Sequence, residues 1–413
     1  MPTPTGIINF SDIESEFGRN GTKSLGSYRI SQSAGLYSNL PLDTGIPQSG
    51  PISFSQLRGK RLNVVVDISG GDEYRVNMRS KYDTNSGVTV IGGFRSKPAD
   101  PSQKRILVSV NKRIGSATGP ISNVALRTGT WGTSASLEVL LGSGASIFGA
   151  GGRGGDYSVT TTTQSGTVVY AEYCIHYRET KYGLAGPIWC KGVEPGPPAG
   201  DWTSGWYPGN PAFIPAGKGG FNGYEARRNW SATFSSYVLN PGGNGTSALG
   251  IEYSGATLIN NGYIQCGYGG GGVGGTAAND PDKNQQDAGS SGGGGGGGAG
   301  LPVGTKGFGS ANGYYGFGGV GADGNDATTT VRGLGGPGGN GRGAVAGSGG
   351  PGGDPSNNPQ NGQNGVAGNQ GLGAGGPSGS NGNGIIVTSS SGSVTISGSG
   401  TLQGAIQYNG SVT

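Results

Sequence analysis

Gly144-Ala145-Ser146-Ile147-Phe148-Gly149-Ala150-Gly151-Gly152 carries a short apolar, β-type segment straight into glycine. Gly262-Tyr263-Ile264-Gln265-Cys266-Gly267-Tyr268-Gly269-Gly270 makes the same transition about 110 residues later. Each follows an alternating stretch, Gly132-Thr133-Ser134-Ala135-Ser136-Leu137-Glu138-Val139 in the first case and Gly245-Thr246-Ser247-Ala248-Leu249-Gly250-Ile251-Glu252-Tyr253 in the second. Period-two alternation is the signature of a half-buried strand. The chain therefore reads as repeated strands that feed glycine-rich extensions.

Moving toward the N-terminus, Leu62–Asp67, Tyr74–Met78, Val88–Ile91 and Ile106–Val110 are rich in β-branched residues and separated by Gly, Asn, Asp or Pro clusters. That spacing predicts an antiparallel sandwich or meander. Before them, Gly6-Ile7-Ile8-Asn9-Phe10-Ser11-Asp12-Ile13 is echoed by Gly50-Pro51-Ile52-Ser53-Phe54-Ser55-Gln56-Leu57. Each copy predicts an extended Ile-x-Phe followed by a short helical turn capped by serine, with Ser11 and Glu14 forming a capping box. Turns this short need a partner surface. Ile8, Phe10, Ile13, Ile52, Phe54 and Leu57 are thus the candidate residues for attachment or assembly.

Of the 413 residues 94 are glycine, concentrated after residue 266 and including the run Gly292–Gly298. A solvated linker is the ordinary reading of such composition. Aromatic segments such as Tyr314-Tyr315-Gly316-Phe317, and the return to β pattern at Ile385-Ile386-Val387-Thr388, argue for a folded region instead. A bundle of left-handed extended helices, three residues per turn and without internal hydrogen bonds, is the alternative. Its backbone groups would have to pair almost completely between neighbours. A collagen helix is excluded because Asp280–Gln286 and Ala327–Thr330 contain no glycine.

The expected class is mainly β with little helix: an attachment segment (1–60), an antiparallel β domain (61–155), an aromatic-rich insertion (156–244), a strand repeat with a glycine-rich bundle (245–384), and a C-terminal β return (385–413). The insertion holds Trp202, Trp206 and Tyr207, candidates for stacking on sugar rings.

The net charge of +4 is uneven: residues 1–154 carry 17 Lys/Arg against 10 Asp/Glu, and residues 155–413 carry 10 against 13. The basic pairs lack an aromatic-interleaved motif, so solvated strand faces are expected rather than nucleic-acid binding. Cys174, Cys190 and Cys266 form no metal-ligand pattern. A Cys174–Cys190 disulfide is one option and free thiols the other. The only histidine, His176, stands two residues from Cys174 without a recognisable oxyanion turn, and no phosphate loop is present. Asp323-Gly324-Asn325-Asp326 lacks the remaining spacing of a calcium loop. No enzyme, cofactor or metal site is expected. The N-terminus shows no Sec-type leader, and no stretch approaches a membrane span.

The Gly-x-Ile-x-Phe-Ser unit, with Arg58-Gly59-Lys60 after its second copy, is similar to short repeats near the N-termini of phage tail-fibre and other virion proteins. Residues 267–384 resemble the glycine-rich adhesin at the tip of T-even-like long tail fibres. That resemblance implies packed polyglycine-II helices, whose variable loops touch outer-membrane protein or lipopolysaccharide. Carried over, recognition loops fall at 276–291, 305–317, 321–332 and 354–364, with Phe308, Tyr314, Tyr315 and Phe317 as receptor-binding residues. The implied protein is an extracellularly exposed virion tail component. Its expected partners are other tail subunits through its N-terminal region and a host-surface receptor, and a homotrimer is one expected state. A purely structural virion role and a glycan depolymerase using Glu172, Glu179, Glu194, Asp201 or Glu225 are the alternatives.

Overall fold

A computed structural model describes residues 2–19, 21, 23–29, 45–175, 189–190, 203–208, 221–275, 293–309, 322, 324–337, 347–355, 375–388 and 394–413, with backbone alone between 158 and 237. The fold is mainly β, with several sheets. Two compact units are present: residues 1–157 with 239–413, and the inserted residues 158–238.

In the first unit the chain winds in coils of three strands. Coil one is β1 (Asn63–Ile68), β2 (Glu73–Tyr74) and β3 (Val76–Asn77). A short helix (Met78–Asp83) and β4 (Val88–Ile91) follow. Coil two is β5 (Arg105–Val110), β6 (Arg113–Gly115) and β7 (Val124–Arg127). Coil three opens with β8 (Ser136–Leu141) and β9 (Ser146–Phe148). The chain then departs through β10 (Asp156–Ile175), β11 (Trp189–Cys190), β12 (Thr203–Pro208) and β13 (Phe221–Asn240). It returns as β14 (Ser247–Ile251), which completes that coil. Coil four is β15 (Thr257–Asn260), β16 (Tyr263–Gln265) and, after the glycine-rich excursion, β17 (Ile385–Thr388). Coil five is β18 (Thr395–Ser397), β19 (Thr401–Gln403) and β20 (Ile406–Gly410).

Successive coils stack strand on strand, so three sheets form: β18-β15-β8-β5-β1-β4, β19-β16-β9-β6-β2 and β20-β17-β14-β7-β3. Every pairing between coils is parallel, and only β1 with the edge strand β4 is antiparallel. This is a three-faced parallel solenoid, and it overturns the antiparallel sandwich expected for residues 61–155. The gap from Val110 to Arg113 is two residues, Asn111 and Lys112. A gap that short usually signals a hairpin, but here it turns the chain around a corner onto the next face.

Stacking in register lines up like side chains. Val66, Val108, Val139 and Leu258 form one column. Ile114, Ile147 and Ile264 form the second, and Val76, Leu126, Leu249 and Ile385 the third. All are buried in one core cluster. At roughly 25 cal/mol per Å² of apolar surface removed from water, these columns are the main force holding coil to coil. The two halves of the sequence repeat behave differently: Ile264 stacks on Ile147, but the alternating stretches do not stack on each other, since β15 lies on β8 with Leu258 over Val139 and β14 lies on β7 with Leu249 over Leu126.

The N-terminal segment covers the first coil. Helix α1 (Phe10–Phe17) is capped by Asn9, whose side chain accepts from the backbone N–H groups of Ser11 and Asp12, while Asp12 reaches back to the Asn9 N–H. The capping box is therefore Asn9/Asp12, not Ser11/Glu14. In the second copy the turn Phe54–Leu57 starts after Ser53, with Gln56 Oε1 accepting from the Ser53 N–H at 2.8 Å. The caps lie two residues earlier than expected because the phenylalanines belong to the first turn rather than to the extended arm.

Residues 158–238 form their own four-stranded sheet in the order β11-β10-β13-β12. β10 with β11 and β12 with β13 are antiparallel.

Candidate recognition surface

The chain leaves the solenoid twice, both times after the second strand of a coil, at β9 and at β16. Because β9 and β16 stack, their glycine extensions start side by side and continue the contact. Gly149, Gly152 and Gly155 donate to the carbonyls of Gln265, Tyr268 and Gly271 at 2.7 to 2.8 Å. The step on both segments is three residues, unlike the two-residue step of a β ladder.

The same step recurs throughout. Tyr268, Gly271 and Gly274 donate to Ala299, Gly296 and Gly293 at 2.8 Å. Gly267 and Gly270 donate to Thr246 and Gly243 on another side. The carbonyls of Gly267, Gly270 and Val273 accept from Gly382, Gly379 and Gly376, and those of Gly269, Gly272 and Gly275 from Gly353, Gly350 and Gly347. One nine-residue segment thus bonds to five neighbours, which is how backbone groups lacking internal partners are satisfied when buried. Such packing requires glycine. A Cβ on Gly270 would stand 1.9 Å from the Arg153 carbonyl oxygen, and one on Gly298 would stand 2.0 Å from that of Tyr268.

The register also orients the segments. The end nearest the solenoid holds Gly149, Gly267, Leu301 and Gly382, through the bonds Leu301 to Gly149 and Gly382 to Gly267. The far end holds Gly274, Gly293, Ala322, Pro337 and Gly347: Gly274 donates to Gly293, Gly293 to Gly347, and Ala322 to Pro337 at 2.8 to 3.1 Å. The described residues flanking 276–292, 310–321 and 338–346 all lie at this far end.

Phe308 sits there too, one residue beyond Gly307, whose N–H bonds to Gly295. It is 56% exposed, and the Lys306 ammonium lies 5.8 Å from its ring centroid. Asp326 Oδ1 accepts from the Lys306 N–H at 2.6 Å and so ties the neighbouring segment to this one. Arg332 pairs with Asp354 at 3.3 Å toward the opposite, solenoid end, where Gly353 donates to Gly269 and Gly300 to Thr328. Leu334, 57% exposed, belongs to a third segment, joined to the second through the Asn325 N–H to Leu334 carbonyl bond of 2.8 Å. Sequence reading missed Lys306 and Leu334; the available signal was an apolar or basic residue beside glycine where the bundle needs none.

Of the other expected receptor-binding residues, Tyr314, Tyr315 and Phe317 lie outside the described residues, as do Trp202, His176 and Asp323. Trp206 and Tyr207 are consecutive positions of β12, opposite Tyr224 and Gly223.

The six N-terminal candidates divide. Ile8, Ile13 and Leu57 are buried in the chain's own core. The surface that the short helical turns required is thus the first solenoid coil. Phe10 and Phe54 remain half-buried with their rings edge to face at 5.1 Å, Ile52 packs at the cluster's margin, and Ile7 is 93% exposed.

Among the described residues no group of three or more His, Cys, Asp and Glu could hold a metal ion, and no helix is long and apolar enough to cross a membrane. No family model, curated protein or solved structure matches the chain.

Proposed function

We propose that this chain is a bacteriophage tail protein, of a tail fibre or tail tip, that attaches the virion to its host through loops at the far end of a rigid glycine bundle. The bundle is read as polyglycine-II-like helices; the three-residue hydrogen-bond step and the closeness of neighbouring backbones support that reading. The observation that carries the function is the gathering at one end of the flanks of 276–292, 310–321 and 338–346, together with exposed Phe308.

A bundle whose backbone donors and acceptors are consumed internally offers little for recognition along its length. Side chains held at its tip are different, because a rigid base lowers the entropy lost when a partner docks. An aromatic ring beside a cation suits an outer-membrane protein or the sugar and phosphate groups of lipopolysaccharide. The N-terminal segment, with Ile7, Phe10, Ile52 and Phe54 accessible in whole or part, is the face assigned to other tail subunits. The chain is then exposed to the extracellular medium on the virion.

The test is adsorption competition. Saturating purified protein is expected to block adsorption of the virions that carry it, and the Phe308→Ala variant to block markedly less. Equal adsorption with and without the wild-type protein refutes the attachment role.

A further inference from the structure

The chain has three cysteines, one in the first compact unit and two in the inserted unit. Cys266 is buried against Tyr268 and Ala299 at the foot of the glycine bundle, and is a free thiol. Cys174 and Cys190 belong to the inserted unit. There the antiparallel ladder of β10 and β11 sets Cys174 directly opposite Cys190, with Ile175 opposite Trp189. Residues directly opposed in an antiparallel pair have Cα atoms roughly 4.5 to 5.5 Å apart. A disulfide requires about 4.4 to 6.8 Å, so this pairing meets the backbone condition.

We propose that Cys174 and Cys190 form an intrachain disulfide, closing residues 174–190 into a covalent loop when the protein meets an oxidising medium. With Cys266 enclosed elsewhere, each of the two has a single partner within the chain. β11 is only two residues long, and a strand that short is held by few ladder hydrogen bonds. A covalent link at the register position would hold it on β10, and loop closure would reduce the freedom of the unfolded chain.

The oxidant is a small-molecule disulfide. One cysteine thiolate attacks it, forming a mixed disulfide and releasing one small thiolate, which takes up a proton. The second cysteine thiolate attacks the protein sulfur of that intermediate and releases the other small thiolate. Two protein thiols are oxidised, and one small disulfide is reduced to two thiols.

The test uses the full chain incubated with oxidised glutathione, denatured without reductant, alkylated and digested. Cys266 alone is expected to carry the alkyl group, with a linked pair of peptides containing Cys174 and Cys190 and lacking two hydrogens. All three cysteines should be alkylated after dithiothreitol. In Cys190→Ser, Cys174 should become alkylated or carry glutathione. Alkylation of both Cys174 and Cys190 in the unreduced wild type overturns the proposal, as does glutathione on each separately or a link between two copies. Cys174 remaining blocked by another protein sulfur in Cys190→Ser also overturns it.

Discussion

Glu16 and Lys104 form an ion pair with both side chains buried, 0% and 5% exposed. It ties the N-terminal helix to the entry of β5, and Glu16 Oε1 also accepts from the Leu62 N–H at 2.6 Å beside β1. The Phe94 N–H donates to the Phe17 carbonyl, and Arg95 donates to the Ser15 carbonyl at 2.8 Å. The segment whose short turns required a partner surface is therefore a lid on the solenoid's first coil, which solenoids need because an uncovered terminal coil exposes its core.

Glu16→Ala should cost about 3–5 kcal/mol, because Lys104 stays buried without its carboxylate. The measurement is the urea midpoint of the purified chain. The double change Glu16→Leu with Lys104→Met should recover most of that loss, since an apolar pair of similar volume avoids burying a charge. A double variant no more stable than Glu16→Ala would contradict this.

Gly270→Ala should destabilise by at least 1–3 kcal/mol, the usual overpacking cost, because its Cβ meets the Arg153 carbonyl oxygen at 1.9 Å. Gly255→Ala is the contrast. Nothing stands within 4 Å of its Cβ, so only the backbone strain of its φ of +74° is added, and a loss below about 1–2 kcal/mol is expected. Thermal melts of the two variants make the comparison.

Burial pushes the Cys266 thiol up to about 12 from an ordinary 9.0. The folded state therefore holds this proton more tightly than the unfolded state. That contribution is complete below pH 9.0, and is lost as pH rises from there through about 12. Native protein near pH 9 should resist alkylation at Cys266, which labels on denaturation; prompt native labelling would show that the foot of the bundle opens.

Phe308→Ala should leave stability within about 0.5 kcal/mol, as for an exposed side chain. Ile264→Ala, which empties part of the second column, should cost about 2–5 kcal/mol. Paired denaturation curves test this, and they allow lost adsorption competition in Phe308→Ala to be read as lost contact rather than lost fold.

Local chemistry was legible in the sequence. β-branched runs such as Asn63–Ile68 and Arg105–Val110 form strands because their side chains pack on a pleated surface. Glycine runs demanded close backbone packing because nothing else could bury them, whereas Phe308 was named only through the resemblance to glycine-rich tail-fibre adhesins. Tertiary structure decided the rest. Asn111-Lys112 serves a hairpin or a solenoid corner equally well, and only the stacking of Ile114 under Ile147 and Ile264 selects the corner. Whether Ile13 faces a partner or its own core depended on a surface some 50 to 90 residues away in sequence, around Leu62 and Lys104. The far end of the glycine segments was equally hidden. It arises from the register between distant glycine segments, and identical glycines carry no mark of which neighbour they will bond.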